Sequence, residues 1–125
     1  MHALLVCRAV EANDEGELSL KNVVEVLPID KVPGDVGPLT FVAFVRNLPR
    51  GPGNGAFVLR SPGREEPIGR LPLEMDVPPG LEARQVALQV TVPSMPVAGG
   101  GWFELYFEWA GEPLAANRFA IGVKG

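Results

Sequence analysis

The sequence predicts an all-β domain: an antiparallel β-sandwich of about seven to nine strands, with a small β-barrel as the alternative. Three observations carry that prediction. Apolar residues recur with a period of two, not 3.6, along nearly the whole chain. The 15 glycines and 13 prolines fall between the apolar runs, where the turns of an all-β protein need them. No segment keeps a helical period over the ~10 residues or more that a helix requires.

Taken in order, Ala3 to Val10 is a nearly continuous apolar run and reads as a well-buried first strand. Asn13-Asp14-Glu15-Gly16 is turn chemistry, because Asn and Asp bond their own backbone and Gly supplies positive φ. In the second strand Leu18 and Leu20 share a face. The alternation breaks near Lys21-Asn22 and resumes at Val24 and Val26, as one extra residue in a bulge would make it do. Pro33-Gly34-Asp35-Val36-Gly37-Pro38 reads as a loop. Leu39 to Val45 is apolar on both faces and reads as a central strand. Pro49 to Gly55 reads as a further loop, leading to a short strand from Ala56 to Arg60. Ser61-Pro62-Gly63-Arg64 places Pro and Gly at the central positions of a type II turn.

Leu71, Leu73, Met75 and Val77 then alternate with Pro72, Glu74 and Asp76. A proline has no amide to give a neighbouring strand, so this strand is expected at a sheet edge, closed by Pro78-Pro79-Gly80. Val86, Leu88, Val90 and Val92 alternate with Gln85, Ala87, Gln89 and Thr91, a half-buried strand. Gly99-Gly100-Gly101 leads into an aromatic strand from Trp102 to Trp109. Ala110-Gly111-Glu112-Pro113 turns into the last strand, from which Phe119, Ile121 and Val123 face inward. With no internal repeat and no linker composition, residues 1–125 read as one domain, long enough to bury roughly two-thirds of its unfolded surface.

Charge and cysteine usage narrow the function classes. The net charge is −4 and the 11 basic side chains are scattered singly, whereas nucleic acids and anionic membranes select clustered cations. Neither nucleic acid nor membrane is therefore expected as a partner. The single Cys7 forms no intramolecular disulfide and favours a reducing, cytoplasmic setting. Leu4-Leu5-Val6-Cys7 resembles a lipoprotein cleavage site on its surface only, since no cationic start and no long apolar stretch precede it. No run approaches the ~18–20 apolar residues of a membrane span. Scarce Ser, Thr and Gln together with loop prolines suit a thermophilic host, and a GC-rich genome would give the same bias.

Three stretches stand together in a familiar order: the opening apolar strand with Gly16-Glu17-Leu18-Ser19-Leu20-Lys21-Asn22-Val23, the Ser61-Pro62-Gly63 turn, and Gly101-Trp102-Phe103-Glu104-Leu105-Tyr106-Phe107 with its Gly111-Glu112 turn. This order resembles an uncharacterised bacterial family of ~120-residue β-sandwich domains, Ig-like or C2-like. The resemblance implies the fold and a bacterial source, and brings no catalytic residues with it.

Candidate chemistry is sparse. His2 is the only histidine and sits at the N-terminus, a poor position for a base acting on Ser19, Ser61, Ser94 or Cys7, because catalysis needs fixed geometry. Acidic residues gather at turns (Asp14, Glu15 and Glu17; Asp30 and Asp35; Glu65 and Glu66) without a dedicated metal-ligand spacing, so solvated turns are expected. Gly51-Pro52-Gly53-Asn54-Gly55 lacks the Lys-Ser/Thr ending of a phosphate loop and no helix follows it. No catalytic residue, metal site or cofactor is expected.

The aromatic strand is the exception. Five of the nine aromatic residues lie between positions 102 and 109. With a period of two, Phe103, Leu105, Phe107 and Trp109 form a core face, and Trp102, Glu104, Tyr106 and Glu108 form the other. A face of alternating aromatics and acids suits either a partner's side chain or a sugar ring. The expectation is a non-catalytic module that binds a protein partner or a second copy of itself, with carbohydrate or small-ligand binding as the alternative and a small hydrolase behind both.

Overall fold

The computed structural model describes residues 2–61, 67–80 and 84–123. Eleven strands follow one another: β1 (Ala3–Ala12), β2 (Leu18–Val23), β3 (Val26–Ile29), β4 (Gly34–Val36), β5 (Leu39–Val45), β6 (Gly51–Arg60), β7 (Pro67–Val77), β8 (Val86–Val92), β9 (Met95–Val97), β10 (Gly101–Trp109) and β11 (Glu112–Val123). No helix occurs among the described residues, so none crosses a membrane. The fold is all-β, as the period-two pattern requires. A four-stranded sheet runs β2-β1-β5-β8, a five-stranded sheet runs β3-β11-β10-β6-β7, and β4-β9 forms a separate ribbon. All pairings are antiparallel except β3 with β11.

Local chemistry explains the tightest turns. The Asn13 Oδ1 accepts from the amides of Glu15 at 3.0 Å and Glu17 at 2.9 Å, turning β1 into β2. Between β10 and β11 only Ala110 and Gly111 separate the paired Trp109 and Glu112, with φ of 52° and 81°. Two consecutive positive φ values make the type I′ turn whose twist matches a hairpin.

The inward rows of the two large sheets share one core. Its spine is a run of ring contacts: Phe103 to Phe119 (5.7 Å between centroids), Phe119 to Phe41 (6.5 Å), Phe41 to Phe57 (6.2 Å), Phe57 to Phe107 (5.0 Å) and Phe107 to Trp109 (6.4 Å). Phe41, on β5, is the one ring of this run from the four-stranded sheet. It bridges β6 and β11 and so lies over β10 between them. β5 is enclosed on both faces, the central position read from its sequence, and β7 is an edge strand as its Pro72 demands.

Several expectations need correction. The pairing of β1 with β2 keeps one register from Ala12–Leu18 to Cys7–Val23, so Lys21-Asn22 holds no bulge. Asn22 instead takes φ 54°, and after Val23 the chain leaves the sheet for β3 in the other one. In that sheet Leu27 and Ile29 form the inward row, and Val26, read from the sequence as resuming the alternation, is 61% exposed on the other face. Residues 49–55 are not a loop throughout, since β6 begins at Gly51. Gly53 and Gly55 pave it: the Trp109 indole lies where a Gly53 Cβ would be, and a Gly55 Cβ would stand 2.8 Å from its Cε3. The stretch 33–38 contains β4, held by β9, a partner too short to leave a period of its own. Val123 and Leu18 are exposed (43% and 38%), because both lie where their strands run past the core. The Pro62-Gly63 part of the expected turn, with Glu65 and Glu66, lies outside the described residues.

Candidate functional site

On β10 the core takes Phe103, Leu105, Phe107 and Trp109, which forces Trp102, Glu104, Tyr106 and Glu108 onto the outer face of the five-stranded sheet. The neighbouring strands then decide what surrounds them. Glu104 is paired with Arg60 of β6 on one side and Arg118 of β11 on the other. Neither arginine forms an ion pair with it. The Arg118 guanidinium stacks 5.2 Å from the Trp102 ring centroid, and that of Arg60 stacks 5.4 Å from Tyr106. Arg60 also carries a buried Nε with no hydrogen-bond partner. The Tyr106 hydroxyl donates to the Glu104 Oε2. Glu108 stands apart, its Oε2 accepting from Arg70 Nη1 of β7 at 2.9 Å.

Trp102 is 52% exposed, the other three less so. Trp102, Glu104 and Tyr106 line a groove of about 650 Å³ together with Arg118 and Asn117 of β11 and Val23 to Glu25 from the β2–β3 crossing. The structure thus brings together three of the four face residues and ties the fourth into a sheet ion pair. Asn117 looks like a ligand-binding amide but is already used. Its Nδ2 donates to the Leu4 carbonyl at 2.7 Å and its Oδ1 accepts from the Arg118 amide at 2.8 Å, locking β11 to β1. Arg60, Arg118 and Glu25 escape a strand-by-strand reading because they reach the site from other strands or from the crossing.

The remaining candidates are placed elsewhere. His2 Nδ1 accepts from the Arg46 amide at 3.3 Å. Cys7 is fully buried with its Sγ 3.7 Å from the Thr40 carbonyl, and burial pushes its thiol pKa up, opposed by a weaker hydrogen bond from Ala9. A thiol held that way is a poor nucleophile. Residues 51–55 are extended strand and present no phosphate cradle. Among the described residues no group of three or more His, Cys, Asp or Glu side chains is gathered to hold a metal.

The donated hydrogen bond to Glu104 raises the Tyr106 pKa above its ordinary 10.0, helped by burial and by the Glu104 charge and opposed by Arg60. A raised folded-state value favours the neutral phenol. Its stabilisation is therefore complete below pH ~10 and is lost as pH climbs through the folded-state pKa. Tyr106 is the sole tyrosine, so phenolate absorbance in the intact protein reports it alone. The titration is expected above pH 10, and Tyr106→Phe is expected to remove the part of the alkaline loss of stability that Tyr106 contributes, leaving the part due to the buried Cys7 thiol. A midpoint at or below 10 would mean that the hydrogen bond to Glu104 does not form in solution.

No known protein family, curated protein or solved structure matches this chain.

Proposed function

We propose that this domain is a non-catalytic protein-interaction module of a bacterial cytoplasm, and that it engages its partner through the outer face of the five-stranded sheet around Trp102. The observation that carries this reading is the pair of guanidinium-on-ring stacks, Arg118 on Trp102 and Arg60 on Tyr106, at an open groove. Trp, Tyr and Arg are the residue types in which binding energy concentrates at protein interfaces, and rings held against guanidiniums lose little freedom on docking. Among the described residues neither arginine has a carboxylate within ion-pair distance. A partner presenting a carboxylate beside an apolar side chain would complement both the cations and the exposed indole.

The test is the affinity of the partner, identified from the host, for Trp102→Ala. Binding is expected to fall about 30-fold or more, a hot-spot loss of ~2 kcal/mol. The melting temperature should change little, because an exposed cation–π contact contributes only ~0.5–1 kcal/mol. A large loss of stability with unchanged binding would make Trp102 a structural residue and sink the reading.

One observation favours carbohydrate as a second reading: Glu25 and Glu104 line the same groove as Trp102. Glu104 already accepts from Tyr106 and Asn117 is committed to the backbone, so few polar groups remain to hold a sugar. A glycan array with wild type and Glu25→Gln separates the two readings.

A further inference from the structure

The two large sheets are joined at β1 and β11 by bridges and not by a strand pair. Val24, in the crossing from β2 to β3, donates its amide to the Val6 carbonyl of β1 at 2.7 Å. Its neighbour Glu25 accepts from the Ala120 amide of β11 at 2.9 Å, so the crossing holds both strands. Two residues back along each strand, the same two bonds are made by a side chain. The Asn117 Nδ2 donates to the Leu4 carbonyl at 2.7 Å, and its Oδ1 accepts from the Arg118 amide at 2.8 Å. A carboxamide carries a donor and an acceptor, as a peptide group does. The Asn117 side chain stands where the next peptide group of a strand between β1 and β11 would be.

The strand edges beside this side chain are open. β3 pairs with β11 only from Ala120 to Val123, and β2 pairs with β1 only from Cys7 to Ala12. The register of β10 with β11 is unbroken from Gly101–Ile121 to Phe107–Ala115. Along such a pair, the amides of alternate residues point to the partner strand and away from it. Those of Ala120 and Arg118 point away from β10, so that of Ala116 does too. Among the described residues no strand lies beside Ala116 on that side or beside Leu4 on the facing side. The groove next to Trp102 opens at this point, where Leu5 of β1 and Ala116 and Asn117 of β11 line it.

We infer that this seam accepts an extended segment of the protein partner, which displaces the Asn117 carboxamide and pairs its main chain with Leu4, Ala116 and Arg118, a reading that rests on the partner being a protein. The exchange replaces the two hydrogen bonds of Asn117 by two of the same kind, so displacement leaves no buried group unpaired. Main-chain bonds then supply affinity, and alternate side chains supply specificity. One set faces inward beside Leu4 and Leu105, both buried, and is apolar. The other faces the groove beside Tyr106 and Arg118. Among the described residues Arg118 has no carboxylate within ion-pair distance, so an acidic side chain suits that set. The chain's own crossing has this composition, Val24-Glu25-Val26, with Glu25 lining the groove.

Fluorescence anisotropy of a dye-labelled peptide, Val-Val-Glu-Val-Leu, the sequence of residues 23–27, tests this on the intact protein. Saturable binding is expected, and N-methylation of the central peptide amides is expected to weaken it about tenfold or more, because pairing needs those donors. Ala116→Pro removes an amide that β10 does not use. It is expected to keep the wild-type melting temperature and to weaken the peptide about tenfold. Asn117→Ala removes the competing carboxamide, so the peptide is expected to bind about threefold more tightly even where the variant melts earlier. A peptide that fails to bind, or that binds equally well when N-methylated, overturns strand pairing without any variant of the protein. Weaker binding to Asn117→Ala makes Asn117 a ligand contact and overturns displacement. The partner from the host separates this site from the face around Trp102. Binding lost in Trp102→Ala and unchanged in Ala116→Pro overturns the seam and leaves the face, whereas the reverse pattern supports the seam and overturns the face.

Discussion

Phe41→Ala is expected to destabilise the protein by about 3–5 kcal/mol, a large part of the ~5–15 kcal/mol that holds a domain of ordinary stability together. The size of the effect follows from position. Phe41 is 1% exposed, and it alone joins the Phe57–Phe107–Trp109 end of the ring run to the Phe119–Phe103 end. Removing it takes the one ring contributed by the four-stranded sheet out of the interface between sheets. It also merges the space left behind with the apolar cavity that Phe41 already lines, so the surroundings have little reason to collapse around the deletion. Phe44 is the control. It lies three residues along the same strand on the opposite face, only half-buried and outside the ring run, so Phe44→Ala should cost markedly less. Chemical denaturation of the two variants checks the prediction, and equal losses would show that the ring run does not join the sheets.

Gly53→Ala is expected to destabilise the domain by at least ~1–3 kcal/mol, the range for overpacking, although a single methyl group is added. Gly53 lacks the left-handed φ that would itself resist a side chain. The obstacle is the Trp109 indole, which lies flat over Gly53 and Gly55 and is itself 6% exposed. Trp109 sits at the end of β10, next to the tight Ala110-Gly111 turn, so its ring cannot step aside without moving the hairpin. The double variant Gly53→Ala/Trp109→Leu is expected to lose less than the sum of its single losses, because the smaller side chain makes room for the methyl group. Additive losses in a thermodynamic cycle would instead place the cost of Gly53→Ala in the backbone of β6.

How far the site was legible in the sequence is clearest along β10. The split between Phe103, Leu105, Phe107 and Trp109 inside and Trp102, Glu104, Tyr106 and Glu108 outside follows from period two alone, because successive side chains of a strand point to opposite faces. The arginines that complete the face did not follow. Counting back from the Ala110-Gly111 turn would set Asn117 opposite Glu104. The hairpin carries an irregularity after Glu108 at Leu114, which shifts the register by one and brings Arg118 there instead. A one-residue shift exchanges the faces of a strand, and nothing in the composition of residues 112–118 announces it. Arg60 and Arg70 depend on still more remote pairings, of β6 with β10 and of β7 with β6.

The same division holds for the fold. Period two, glycine and proline punctuation and the apolar run from Leu39 to Val45 determined by themselves that the chain is all-β, that β5 is central and that β7 is an edge. These are local consequences of strand geometry and of a missing proline amide. The sequence alone did not determine that the chain crosses between sheets after Val23, or that residues 51–55 are strand under an indole. Each of these depends on a neighbour distant in sequence, the parallel pairing of β3 with β11 and the ring of Trp109. Local pattern sets which way each side chain points, and only the assembled sheets decide what it meets there.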